Sequence, residues 1–453
     1  MFNTVLIANR GEIGLRVART CREMGIRTVA VYATADRDSA VTRFADEALH
    51  IGPTPAKRSY LNIAAVVEAA LRADADAIHP GYGFLSEDAD LAEVAAQNGI
   101  TFIGPRPEVM LRLSDKAAAR AVMADAGLPV LPGSRTAVTM LAEAEAIAQE
   151  IDYPLIIKAA AGGGGRGMTV VWHRRDLPRA FAECRSSAQA VFNDSRVYLE
   201  RYLESARHVE IQVLCDNHGN AIHLGERDCS VQRRHQKLIE EAPAPNLPPG
   251  LADEMGAAAV RGALAVGYSG VGTFEFLVDE DGSAHFMEIN CRIQVEHPVT
   301  EMVTGIDLIR EQIRVAAGRP LELNQADVTR RGAAIECRVN AEDPTRDFRP
   351  TPGRIDELDL PGGPFVRVDT HCRPGWTVVP DYDPLLAKLI VWAEDRERAL
   401  ARMDRALSEF GITGKGMSTT KEFLREVVVH PLFRRAKHST GLVGQMRVEA
   451  DAD

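Results

Sequence analysis

The 453-residue sequence predicts a multidomain chain of α/β and α+β class, with a doubly wound (Rossmann-like) parallel sheet at its N-terminus. Three observations predict it. Strand patterns alternate with amphipathic helices over residues 3–103, the signature of a parallel sheet covered by helices on both faces. Five of the six residues 162–167 are glycine, and this run stands between two short strands. Beyond residue 331 strands dominate until two late helices. The expected division is 1–113, 114–318 and 332–443.

In the first unit, residues 3–8, 27–33, 76–79 and 101–103 read as strands, and 12–24, 60–72 and 87–98 as helices. The turn Ala8–Gly14 is similar to a dinucleotide loop, with Asp36 spaced like a ribose-binding acid. Asn9 stands where the first glycine of that motif belongs, so the loop is expected to complete a fold without NAD. The run His79–Glu87 follows a strand, where ligands of open α/β sheets bind, so Tyr82 and Glu87 are candidates to face a site. A plain Pro/Gly turn is the alternative.

In the second unit, a helix near 115–126 leads to a linker-like break at Gly127-Leu128-Pro129 and Pro132-Gly133. Strand 155–159 carries Lys158, and strand 168–172 follows the glycines, whose bare amides suit phosphates. Lys158 is placed to neutralise a phosphate, and no Walker A sequence occurs. Residues 197–203 read as a strand running into a connector, and 208–214 with 220–224 as a hairpin. Residues 226–241 are crowded with charge: either a solvated run, or a cationic cluster for a polyanionic substrate. Helix 251–267 precedes strand 271–279. In the third unit, 333–339, 353–359, 365–370 and 385–392 read as strands and 395–409 and 420–429 as helices; the tail from 446 is expected to be loose.

Within residues 286–298 (FMEINCRIQVEHP), positions 288–296 alternate strictly polar and apolar, which predicts an extended segment with one buried face. A turn at Asp281-Gly282 places Glu275 opposite Glu288 on the neighbouring strand. Like charges in that position destabilise, and a divalent cation between them removes the penalty. Asn290 is the third oxygen ligand on that face. Arg292 beyond it suits an oxyanion, and Glu296 suits a general base.

The sequence is 45% hydrophobic, 26% charged and 6% aromatic, with net charge −11. That balance argues against a nucleic-acid or membrane-surface binder. No apolar run reaches the ~18 residues of a membrane span, and no secretory signal is visible. The seven widely spaced cysteines lack any Cys-x-x-Cys, a reduced, cytoplasmic pattern.

Several long stretches together resemble the biotin carboxylase family of ATP-grasp enzymes over about 1–443. They are Ile7–Ile13, Ala77–Glu87, Lys158 with its glycines, Arg207–Glu210, Glu226–Pro245 with its Gln-Arg-Arg-His-Gln-Lys core, and Arg292–Glu301. The resemblance implies a pre-ATP-grasp domain, an ATP-grasp domain with a mobile lid at about 131–204, and a C-terminal domain. It implies carboxylation of biotin by ATP and bicarbonate through carboxyphosphate, with Mg²⁺ or Mn²⁺. By position, Lys116 and Lys158 would hold ATP phosphates under Gly164 and Gly165. Glu200, Arg201, Tyr202 and Leu203 would meet the adenine edge, with His208, Gln232 and His235 nearby. Glu275, Glu288 and Asn290 would bind the metal. Lys237, Arg292, Gln294 and Val295 would bind bicarbonate, and Glu296 would deprotonate it. Arg338 would stabilise the developing oxyanion of biotin, with Tyr82 close by. Ala161, Leu113-Ser114, Cys291 and Thr413–Thr419 depart from the family's usual pattern. A biotin carboxyl carrier protein and a carboxyltransferase are expected as separate chains, since no Ala-Met-Lys-Met occurs, and the family implies a homodimer. Acetyl-CoA carboxylase is the expected host, with propionyl-CoA and pyruvate carboxylases as alternatives. The competing classes are another bicarbonate-using ATP-grasp ligase and a non-enzymatic nucleotide-binding subunit.

Overall fold

The structure, a computed structural model, describes residues 1–161 and 167–452. Gly164 and Gly165 lie outside the described residues. The N-terminal sheet is parallel and five-stranded, in the order Glu47–Gly52, Arg27–Ala33, Thr4–Ile7, Ala77–His79, Thr101–Phe102. Its central strand Thr4–Ile7 is buried on both faces, as a sheet sandwiched by helices requires. Strand Glu47–Gly52 is absent from the sequence reading because its EALHIG pattern neither alternates nor runs apolar.

Eight strands then form one sheet. Its order is Ala284–Asn290, Gly270–Val278, Arg207–Cys215, Ala221–Arg233, Gln236–Ala242, Ala333–Asn340, Leu385–Ala393, Val366–Thr370. The sheet runs without a break from residues before 318 to residues after 332, through the antiparallel pairing of Gln236–Ala242 with Ala333–Asn340. A separate three-stranded sheet, Met168–Val171, Leu155–Ala159, Val197–Arg201, packs with helices Leu141–Ile151 and Leu177–Phe192 around its own apolar cluster. Leu155–Ala159 and Met168–Val171 are antiparallel partners, so the glycine run does join a hairpin.

Three expectations fail locally. The extended segment 286–298 stops at Asn290; residues 291–296 are irregular and helix His297–Thr304 follows. Of the two readings of 226–241 the solvated run fails: the stretch is a strand pair of the central sheet, and Arg227, Asp228, Glu240 and Glu241 are all buried. The tail lies in helix Leu442–Ala452 instead of a loose end. Among the described residues, no helix is long and apolar enough to cross a membrane.

Candidate active site

Glu275 and Glu288 are direct cross-strand partners, as the hairpin argument requires. The route differs from the one expected. The loop between Val278 and Ala284 spans five residues, so Val278 pairs with Ala284 and the register is displaced by one. An extra residue, Met287, restores it: Phe276 faces Phe286 while Glu275 faces Glu288. This bulge sets both carboxylates opposite each other. Asn290 Nδ2 donates to Glu275 Oε1 at 2.8 Å, so all three oxygen-bearing groups meet. Lys116 pairs with Glu288, and Lys237 Nζ reaches Glu275 Oε1 at 3.0 Å. Ammonium groups thus compensate an oxygen-only ligand set that fits Mg²⁺.

The Lys237 ammonium is the hub of the site. It donates to Glu210 Oε2 at 2.6 Å, Glu296 Oε1 at 2.6 Å, Glu275 Oε1 at 3.0 Å and Gln294 Oε1 at 3.1 Å. Burial alone would depress it, but these carboxylates hold it well above the usual lysine range. Arg338 Nη2 donates to the other oxygen of Glu296 at 2.9 Å and lies 2.5 Å from Glu240 Oε1. Burial pushes the Glu296 carboxyl up, yet Lys237, Arg338 and Arg227 hold it well below the usual carboxylate range. Glu275 is likewise ionised: Lys237 and His208 outweigh its burial. His208 Nε2 is 3.0 Å from Glu275 Oε2, and Gln232 Nε2 is 3.4 Å from His208 Nδ1. Arg292 Nε donates to Glu87 Oε2 at 3.0 Å and its Nη2 to Asn290 Oδ1 at 3.0 Å, leaning over the same face.

A second cluster sits under the smaller sheet. Lys158 pairs with Glu200, and Arg120 Nε lies 3.3 Å from the same carboxylate. Burial raises Glu200, and these two cations bring it below its ordinary value. Lys116 N donates to Ala160 O at 3.0 Å, which joins the two clusters beside the glycine run.

Residues 1–110 match the family described as Biotin carboxylase, N-terminal domain. Residues 115–324 match Carbamoyl-phosphate synthase L chain, ATP binding domain, and 336–445 match Biotin carboxylase C-terminal domain. The chain is 52% identical to the biotin carboxylase of a Nostoc species, over 98% of this chain and 99% of that protein. The chain belongs to the biotin carboxylase family. It is therefore an ATP-grasp enzyme of the first half-reaction of biotin-dependent carboxylases. It is also 49% identical to a pyruvate carboxylase component of Methanothermobacter thermautotrophicus, covering all of this chain and 92% of that one. A solved biotin carboxylase domain dimer of the Hydrogenobacter thermophilus 2-oxoglutarate carboxylase, with MgADP, ADP and bicarbonate, superimposes with a TM-score of 0.96 at 45% identity. That alignment covers 99% of this chain and 98% of that one.

In this member of the biotin carboxylase family, the expected site residues divide by location. Lys237, Arg292, Gln294, Val295, Glu296 and Arg338 gather on one face with Glu275, Glu288 and Asn290. Tyr82 donates its hydroxyl to Glu12 near that face. Arg201 turns away: its Nε donates to Ile151 O at 2.7 Å, committing the side chain to a helix end. Tyr202 packs edge-on against Trp172, ring centroids 5.9 Å apart, and its N donates to Pro154 O at 3.0 Å. His235 occupies a two-residue hairpin turn with Arg234, both at positive φ (65° and 48°). That geometry favours Asn-Gly, so Arg-His gives no turn signal. Sequence reasoning misses Glu210 and Arg227 as site members. Arg227 is fully buried, donates to Glu210 Oε1 at 2.6 Å and Thr300 Oγ1 at 2.9 Å, and so fixes the carboxylate that grips Lys237. The usable signal is an arginine inside a strand pattern, where only a buried partner lets it stay.

Proposed function

We propose that this chain phosphorylates bicarbonate with ATP and passes the carboxyl group to biotin on a carrier protein, within an acetyl-CoA carboxylase. The convergence of Glu296, Gln294 and Glu275 on Lys237, with Arg338 on the second Glu296 oxygen, carries the reading. Bicarbonate entering here meets two cations, Lys237 and Arg292, beside an ionised acceptor for its one proton. Its charge takes a share of Lys237, the grip of that ammonium on Glu296 loosens, and the carboxylate becomes a stronger base at the moment it is needed.

The proton goes to Glu296, and a bicarbonate oxygen attacks the terminal phosphorus as ADP leaves. Mg²⁺ at Glu275, Glu288 and Asn290 supplies charge neutralisation for the phosphates when bound. Lys116 and Lys158 turn from Glu288 and Glu200 toward those phosphates, and Glu200 to Leu203, His208, Gln232 and His235 frame the nucleotide. The C–O bond to phosphate in carboxyphosphate then breaks, the departing phosphate takes the proton of the ureido nitrogen, and the carboxyl group bonds to that nitrogen of biotin. Arg338 meets the charge that develops on the ureido oxygen, and Tyr82 borders that pocket. Val295 lines the bicarbonate side.

A homodimer fits the reading, and the carrier and carboxyltransferase are taken to be separate chains. The Nostoc relative of nearly equal length is named as a biotin carboxylase in its own right, which favours that arrangement. The Methanothermobacter relative favours a second reading, in which the same half-reaction serves a pyruvate carboxylase. The test is ATP hydrolysis with Mg²⁺ and bicarbonate, with and without biotin, following labelled bicarbonate into acid-labile carboxybiotin. Label transfer with biotin-stimulated turnover is expected; bicarbonate-dependent hydrolysis that ignores biotin refutes the assignment. Mixing the chain with a biotinylated carrier and each transferase then separates acetyl-CoA from pyruvate as acceptor.

A further inference from the structure

We infer that Lys388 is a positioning residue for this reaction: from the C-terminal part of the central sheet it fixes the Val295–Glu296 peptide, and so aims Glu296. The inference rests on the role proposed above for Glu296. Residues 291–296 have no regular structure, and Glu296 caps helix His297–Thr304 without a side-chain capping bond. The turn has bonds of its own, His297 N and Nδ1 lying 3.3 Å and 2.7 Å from Gln294 O, but these leave the Val295 carbonyl at its tip to a partner outside the segment. Lys388 is that partner: its Nζ donates to Val295 O at 2.9 Å, and the side chain is 0% exposed.

Lys388 sits directly across from Arg338 on the neighbouring strand. Two adjacent cations of one sheet therefore hold one residue, Arg338 by the Glu296 carboxylate and Lys388 by its peptide. The ammonium also lies 3.1 Å from Glu12 Oε1 and 3.9 Å from Asp369 Oδ2. Glu12 accepts the hydroxyl of Tyr82, so the same ammonium links the biotin side of the site to the bicarbonate side. Glu12, Glu336 and Asp369 keep it charged although burial opposes this. A plain ion pair is the competing account. Yet Asp369 already has Arg367 at 2.7 Å, neither Glu336 oxygen makes a hydrogen bond, and burying a lysine for a contact to Glu12 costs more than an apolar pair would. The bond to Val295 O is what an apolar pair cannot replace.

A double-mutant cycle distinguishes the two. Lys388→Met is measured alone and in a Glu296→Gln background, by single-turnover formation of labelled carboxybiotin over a range of bicarbonate, with KM for ATP as the reference. The expected result is a loss of about tenfold or more in wild-type background and less than about threefold with Glu296→Gln, because the second change has already removed what Lys388 aims. KM for ATP stays within about twofold. Equal losses in both backgrounds, or a KM for ATP that rises in step, overturn the proposal in favour of a general structural role. Should Lys388→Met fail to fold with Glu12 left unpaired, Glu12→Gln/Lys388→Met neutralises both, referenced to Glu12→Gln, with the same two outcomes. A wild-type chain that forms no carboxybiotin overturns the functional reading itself; a working wild type with additive losses overturns only the part played by Lys388.

Discussion

Glu240 and Glu336 face each other across strands Gln236–Ala242 and Ala333–Asn340, both 0% exposed. Burial pushes Glu240 up to about 7, with Arg338 pulling it down and Glu296 pushing it further up. Glu336 is pushed well above its usual range, by burial first, against the pull of Lys388. Two such carboxyls, with Arg338 and Lys388 beside them, share a proton near neutrality. The unfolded chain gives up that proton near pH ~4–5, so between there and about pH 7 the folded chain holds more protons. Stability therefore falls as pH rises through that window. Glu240→Gln should flatten the fall and be the more stable chain at about pH 8, by on the order of 1 kcal/mol. Denaturant unfolding at about pH 5 and about pH 8 checks this, and parallel curves for variant and wild type would refute it. Lys237 and Gln294 enter through the family resemblance, while Glu275 and Glu296 are readable because each is a charged side chain on an alternating face that solvent alone does not explain. Glu210 and Arg227 are not, since a fully buried pair looks in sequence like any surface pair until the sheet that buries it is known.

The elements show how local signals add and fail. Asp281-Gly282 predicts a two-residue turn, and the true five-residue loop alone would put Glu288 out of step with Glu275. The Met287 bulge corrects this; the only mark of it in the sequence is that Phe286 and Met287 are two apolar residues in a row, ahead of the strict alternation that starts at Glu288. The stretch 226–241 stays open in sequence between a solvated run and a cationic cluster, because charged strands inside a sheet violate the usual apolar code. Pro132-Gly133 reads as a linker. In the fold Gly133 pairs with Glu200, and a Cβ there would collide with Leu199 O and come within 2.9 Å of Glu200 Cα. Gly133→Ala should therefore push strand Val197–Arg201 out of place, with a cost of about 1–3 kcal/mol. The measurements are a lowered melting temperature together with a several-fold higher KM for ATP, since Glu200 steadies Lys158. An unchanged KM would detach Gly133 from the nucleotide site.

At the scale of the molecule, the three-stranded sheet stands apart from the eight-stranded one and carries Lys158 on its central strand and Glu200 on the strand beside it. Trp172 is 49% exposed at the end of one of its strands and lies against Tyr202, in the connector that leads back to the central sheet. Nucleotide that draws the smaller sheet down should change that contact. Tryptophan emission is expected to shift on adding MgATP, and Trp172→Phe to abolish the shift. A shift that survives the substitution would come from Trp376 or Trp392 and would place the motion elsewhere.

Sequence by itself determined the parallel core of the N-terminal sheet, the hairpin around the glycine run, and, of the groups that meet at Lys237, Glu275 and Glu296; Lys237 and Gln294 came with the family resemblance, and Glu210 was missed. It could do so because alternation, turn residues and motif spacing are written in neighbouring positions. The tertiary structure decided three things. It joined the expected second and third units into one eight-stranded sheet, turned the charge-rich run inward, and brought Lys388 across to Val295. Each depends on strands far apart in the chain lying side by side, and the low dielectric they create together is what makes a buried charge hold its partner.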